Sequence, residues 1–208
     1  FRYVEIGNEP DYEQFWPSGF SMLYFFQLFD RTAQAMRTAF PDIMIGGPGF
    51  TQNVNMKDSS KQILRDFLAY ISGRATPMDF ISCHHYTNDP YDIMTGLASM
   101  RQILSENGYA SLPIHNTEWN NDTNGKTVVE QADLRINAKG AAINSAIWTA
   151  FQKCGVSEAF FFRGNDTNIT FPAFYGLFKA DGTPKKSALA FRLFSYFSKY
   201  TSGLQLSQ

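Results

Sequence analysis

Short apolar runs alternate with longer amphipathic segments five times along this chain, and that alternation limits the fold more than any other feature. The apolar runs lie at 2–7, 43–46, 79–86, 112–118 and 158–163, and the helical patterns at 21–40, 61–72, 92–107, 132–153 and 185–200. Within 61–72, Ile63, Leu64, Phe67, Leu68 and Ile71 recur at three- and four-residue steps, which puts them on one face of a helix. Pro41 stops the first helix, Gly108 and Gly155 stand where later helices terminate, and Pro184 precedes the last one. The glycine-rich stretch at 46–49 reads as a turn. Strands and helices in strict succession predict a parallel sheet with helices covering its faces. Strands that are nearly all apolar fit a sheet buried on both sides. No fixed-period repeat or low-complexity linker divides residues 1–208, so a single domain is expected. The open, doubly wound sheet loses ground because no Gly-rich phosphate-binding pattern follows any strand. The closed eight-stranded barrel remains, and its strand ends decide the matter.

Composition removes several classes of partner. A net charge of -1 with no Lys/Arg cluster gives no concentrated positive field for a nucleic acid. No run of about 18 apolar residues is present, so no membrane-spanning helix is expected; the richest stretch, 21–29, contains Gln27 and runs into Asp30 and Arg31. The two cysteines, Cys83 and Cys154, are too few for a disulfide framework and are expected as free thiols. His84 and His85 are adjacent in a predicted strand, where neighbouring side chains face opposite ways, so they make a poor chelate. Neither a metal nor a cofactor is expected. Asn121, Asn165 and Asn168 each begin an N-x-[ST] pattern, which matters only in a eukaryotic secretory setting. The cellular compartment stays open.

In parallel α/β folds the reactive groups gather at the C-terminal ends of the strands. Here those ends read Asn8-Glu9-Pro10, His84-His85-Tyr86, Thr117-Glu118-Trp119 and Arg163-Gly164-Asn165-Asp166. One acid at a strand end means little. Two glutamates at the ends of strands three apart are a sharper signal, because such strands face one another across a barrel mouth. A facing pair of carboxyls about 5–5.5 Å apart can cleave a glycosidic bond with retention, whereas inversion needs roughly 6.5–9.5 Å. One carboxyl protonates the leaving oxygen and the other attacks the anomeric carbon.

Tyr3-Val4-Glu5-Ile6-Gly7-Asn8-Glu9-Pro10 resembles the Asn-Glu-Pro segment that ends the fourth strand of clan A glycoside hydrolases. Ile114-His115-Asn116-Thr117-Glu118-Trp119 is similar to their seventh strand, and 79–87 resembles the sixth strand of glycoside hydrolase family 39. The segment 175–185 is similar to the loop before that family's last helix. The resemblance thus runs from strand four to helix eight. It implies the C-terminal part of a (β/α)₈ TIM barrel, five βα units with strands one to three missing. It also implies a carbohydrate substrate, Glu9 as acid/base and Glu118 as nucleophile. Asn8 would hold the sugar 2-hydroxyl, Tyr86 would orient the nucleophile, His84 would line the cleavage subsite, and Trp119 would wall it. The family includes β-xylosidases and α-iduronidases. Gly7 stands where many clan members carry Trp, Phe162-Arg163-Gly164 replaces a frequent eighth-strand Trp, and His85 stands where Ala is more usual.

Other expectations attach to this reading. Glu5 is expected in a structural ion pair, His115 in a structural role, and Tyr12, Phe15 and Trp16 either as a sugar-stacking lip or as loop packing. Arg163 and Asp166 are expected to contact substrate or to close a salt bridge. With five of eight strands, the sheet would need an N-terminal half, a second copy of itself or another chain to close it. The alternatives are another clan A activity, such as a glucuronidase or endo-glycanase, and a non-catalytic carbohydrate-binding or assembly half-barrel that keeps the motifs.

Overall fold

A computed structural model describes residues 2–17, 19–166 and 174–200. Five strands, β1 (Tyr3–Glu5), β2 (Met44–Phe50), β3 (Phe80–Tyr86), β4 (Ile114–Asn120) and β5 (Val156–Phe161), form one parallel sheet in the order β1-β2-β3-β4-β5. Between them run α1 (Met22–Ala39), the single turn α2 (Asn53–Met56), α3 (Asp58–Ser72), α4 (Pro90–Glu106), α5 (Val128–Arg135) and α6 (Ala138–Lys153), and α7 (Lys186–Tyr200) follows β5. Sequence order and spatial order coincide, so every connection steps to the next strand, as in successive units of a (β/α)₈ barrel. Residues divide into two compact units, one of 1–86, 91–119 and 150–160, the other of 87–90, 120–149 and 161–208.

In the first unit the core lies between the sheet and α1, α3 and α4. Phe25 and Phe29 of α1, Phe50 of β2 and Phe67 of α3 are fully buried, and the rings of Phe29 and Phe50 meet that of Phe67 edge-on at 5.0 and 5.6 Å. Full burial of such a ring contributes about 1.5–3 kcal/mol. The central strands β2, β3 and β4 are mostly buried, whereas β1 and β5 at the two ends of the strand order are largely exposed. Apolar composition alone does not bury β5: Phe160 is 54% exposed.

The glycine-rich stretch after Ile45 is strand, not turn. Gly46 O accepts from Ile6 N–H at 2.8 Å, Gly49 O accepts from Glu9 N–H at 2.9 Å, and Gly49 N–H donates to Ser82 Oγ at 2.8 Å. A register shift between Gly47 and Phe50 absorbs the irregularity. The absence of side chains is what lets neighbours close in. A Cβ on Gly46 would lie 2.4 Å from Phe80 O, and one on Gly49 would lie 3.1 Å from His84 Nε2.

In the second unit the expected helix over 132–153 is two helices. A capping box starts α5 early, with Thr127 Oγ1 accepting from Glu130 N–H and the Glu130 carboxylate accepting from Thr127 N–H. The helix then breaks because its last carbonyls have other donors. Ser187 Oγ donates to Arg135 O at 2.9 Å and Lys186 N–H donates to Ile136 O at 3.0 Å. Gly140 packs so tightly here that a Cβ would sit 1.9 Å from Leu134 O. Lys185, with a fully buried ammonium, pairs with Asp166 at 2.7 Å, and Asp166 also accepts from Gly176 N–H. The salt bridge at Asp166 is thus made with Lys185. Asn121 is fully buried and Asn165 is exposed, so only the latter has the exposure its N-x-[ST] pattern requires; Asn168 lies outside the described residues.

Candidate active site

Glu9 follows β1 at the C-terminal edge of the sheet, and its backbone adopts a left-handed conformation at φ 44°. A non-glycine residue there costs on the order of 1–3 kcal/mol and persists only where its surroundings fix it. Three hydrogen bonds do so: Glu9 N–H to Gly49 O at 2.9 Å, and Tyr12 N–H and Trp16 Nε1–H to Glu9 O at 3.0 and 3.2 Å. The preceding Gly7 has φ 105°, and a side chain there would strike the Phe25 ring at 2.8 Å. That contact explains why Trp is not accommodated at this position.

His84 and Tyr86, two residues apart on β3, project to the same face. Nδ1 of His84 lies 2.7 Å from Glu9 Oε1 and 3.6 Å from Glu118 Oε2, and Tyr86 Oη donates to Glu118 Oε2 at 2.8 Å. One oxygen of Glu9, one of Glu118 and a nitrogen of His84 all lie within 4.8 Å of one another. The imidazole is almost fully buried, while the side chains of Glu9 and Glu118 are 12% and 24% exposed. Two carboxylates in partial contact with solvent, bridged by a buried imidazole, form a centre able to bind one small electrophile between two oxygens. The same trio offers ligand atoms for a divalent cation, which is the one cluster of that kind among the described residues.

Residues adjacent in sequence diverge here. His85 turns away from the carboxylates: its Nδ1 is 2.6 Å from Asn116 Nδ2 and its Nε2 is 3.2 Å from Asn55 Nδ2. Burial pushes its pKa down to about 3, so the ring is neutral and bridges α2 to β4. Cys83, buried next to it, has its thiol pushed up to about 12, again by burial; both cysteines are free thiols. Trp119 is a correction to the expected pocket wall. It is 1% exposed and meets Phe151 of α6 edge-on at 5.6 Å, because successive strand residues face opposite ways and Glu118 takes the other face. Asn8 is exposed and its side chain makes no hydrogen bond among the described residues.

Glu5 also departs from expectation, since it makes no ion pair among the described residues; its Oε1 accepts from Thr117 Oγ1 at 2.7 Å. It lines a cavity of about 540 Å³ with Tyr3, Phe80, His115, Thr117, Glu158 and Phe160. His115 stacks on Phe80 at 4.2 Å, a packing role, and burial lowers its pKa against the opposing pull of Glu158 and Glu5. Trp16 stacks on Phe20 at 4.4 Å within the loop, whereas Tyr12 and Phe15 are 38% and 55% exposed.

Sequence reasoning missed three supporting residues. Gln52 Oε1 accepts from Tyr86 N–H at 2.8 Å, and Asp11 accepts from Thr51 N–H at 2.9 Å and from its hydroxyl. Only Asp11, an acid two positions beyond Glu9, left a signal in the sequence.

A parallel βα fold with two carboxylates at its strand ends defines a class by architecture, the (β/α)₈ barrels, whose reactive groups gather at that face. The model of glycosyl hydrolases family 39 matches residues 2–201, and the chain belongs to that family. It is 26% identical over 222 residues to a β-xylosidase of Geobacillus stearothermophilus and 25% identical over 225 residues to one of Caldicellulosiruptor saccharolyticus. In each case the match covers 92% of this chain and 40% of the relative, so the chain spans well under half the length of these curated relatives. Its fold is similar to the crystal structure of the GH39 enzyme from Xanthomonas axonopodis pv. citri, with a TM-score of 0.75, 19% identity, and 94% of this chain and 40% of that one covered.

Proposed function

We propose that this chain carries the catalytic carboxyls of a retaining glycoside hydrolase. The observation that carries the reading is the approach of Glu9 and Glu118 oxygens to within 4.8 Å, closer than the water-sized gap inversion requires. Glu9 in its acid form protonates the glycosidic oxygen as Glu118 attacks the anomeric carbon, giving a covalent glycosyl-enzyme. Glu9, now the base, takes a proton from water, and the hydroxide equivalent displaces Glu118 from the sugar. Tyr86 keeps Glu118 oriented for attack, His84 bridges the two acids, and Asn8, exposed beside Glu9, meets the 2-hydroxyl. β-Xylosides are the first substrate class to test, since two curated relatives bear the name β-xylosidase.

The activity belongs to an intact barrel. β1 and β5 end the strand order with exposed residues, and an N-terminal half or a second copy of the chain supplies what covers them. A stable, well-folded monomer of the 208-residue chain on size-exclusion chromatography would contradict that requirement.

The test is a screen of aryl glycosides on the intact enzyme, followed by trapping with a 2-fluoro sugar and mass spectrometry. The label is expected on Glu118, and a label elsewhere refutes the assignment. Glu9→Gln and Glu118→Gln are expected to abolish turnover and leave sugar binding largely in place. Sugar binding without turnover in the unsubstituted protein would favour a carbohydrate-binding module instead, and unchanged turnover in both variants would refute the two carboxyls as the catalytic pair.

A further inference from the structure

We infer that Asp11 is a positioning residue for the Glu9 acid, acting through a two-point clamp on Thr51 that ties the loop after β1 to the end of β2. The inference rests on the reading of Glu9 given above. Glu9 belongs to a loop, not to a strand interior, and its backbone is in a conformation that ordinary residues avoid. Two of the three bonds on its peptide groups come from Tyr12 and Trp16, which lie in the same loop. For the loop backbone, as distinct from the Glu9 carboxylate that meets His84 Nδ1 at 2.7 Å, the Glu9 amide on Gly49 O is a first tie to the sheet.

Asp11 supplies the second. One carboxylate oxygen accepts from Thr51 N–H at 2.9 Å and the other from the Thr51 hydroxyl. Thr51 is the first residue beyond β2, and its hydroxyl oxygen also accepts from Asn53 N–H at 3.2 Å, which leaves the hydroxyl hydrogen for Asp11. Burial raises the Asp11 carboxyl while the two Thr51 bonds pull it down, as expected for a part-buried acid that hydrogen bonds hold in place. Two ties, one at Glu9 and one two residues later, fix the direction in which the Glu9 side chain leaves the backbone. Proton donation requires that direction, because the donor must be within hydrogen-bond reach of the leaving oxygen.

The test separates this from a merely structural role through the leaving group. In the intact enzyme, kcat/KM is measured on a phenyl glycoside, which needs a proton to leave, and on the 2,4-dinitrophenyl glycoside of the same sugar, which does not. Asp11→Ala and the near-isosteric Thr51→Val are expected to lose about 10- to 100-fold on the phenyl substrate and to stay within about threefold on the activated one. Asp11→Asn keeps both bonds once the Thr51 hydroxyl turns to accept, and is expected to stay near the parent on both. Equal losses on the two substrates, or no loss on the phenyl glycoside, overturn the clamp. Glu9→Ala is run alongside. If it shows the split and Asp11→Ala and Thr51→Val do not, the clamp alone fails. If Glu9→Ala shows no split, the reading of the site fails and the clamp goes with it.

Discussion

The Tyr86 hydroxyl gives Glu118 a charge-assisted hydrogen bond at 2.8 Å, and such bonds contribute about 1.5–3 kcal/mol. Tyr86→Phe removes the donor while keeping the ring. Its expected cost is a kcat about 10- to 100-fold lower with little change in stability, read from steady-state kinetics and a thermal melt. His85 makes the opposite kind of prediction. Its folded pKa of about 3 lies below the ordinary 6.5, so the unfolded chain takes up a proton that the folded chain refuses. Stability is therefore complete above pH 6.5 and falls as the pH drops toward 3, by roughly 5 kcal/mol in all for this group. Urea unfolding at pH 7, 5.5 and 4 should show the decline, and His85→Gln should make it shallower. The period-two rule made the divergence of His84 and His85 legible in the sequence. Applied to Glu118 and Trp119 it also separates the face that carries the carboxylates from the face that the helices cover, which is why the tryptophan packs on Phe151. Partners distant in sequence, such as Thr51 for Asp11 and Gln52 for Tyr86, left no such trace, since nothing in a local pattern says which loop ends meet.

Among the elements, the alternation of strands and helices was legible because each apolar run and each helical face is a local signal. Failures came where tertiary contacts override local ones. The glycine-rich end of β2 reads as a turn until its amides and carbonyls are seen paired with β1 and β3. The helix over 132–153 reads as one until the start of α7 is found bonding the carbonyls at its break. Gly7 offers a direct check on how tightly β1 and α1 are fitted. Gly7→Ala meets both an unfavourable φ of 105° and the Phe25 ring, and should lower stability by roughly 2–4 kcal/mol. Gly108→Ala, with φ 86° and open space, should lose only about 1 kcal/mol; urea midpoints of the two variants compare them directly.

For the whole molecule, the two glutamates stand at strands three apart in a run whose spatial and chain order agree, so the spacing of motifs along the sequence was itself a map of the site. The chain alone is expected to turn over aryl glycosides weakly or not at all, and the intact enzyme to turn them over well; equal rates would overturn that. The strand that separates Glu9 from His84 carries glycine at 46, 47 and 49, and its vacancy lets an imidazole on β3 reach an acid beyond β1. A saturation library selected for turnover would accordingly return its sharpest blanks at positions that donate no proton and touch no sugar. Trimming a neighbouring ring would not refill the blanks at 46 and 47, because a Cβ there meets backbone atoms of Phe80 and Ile6.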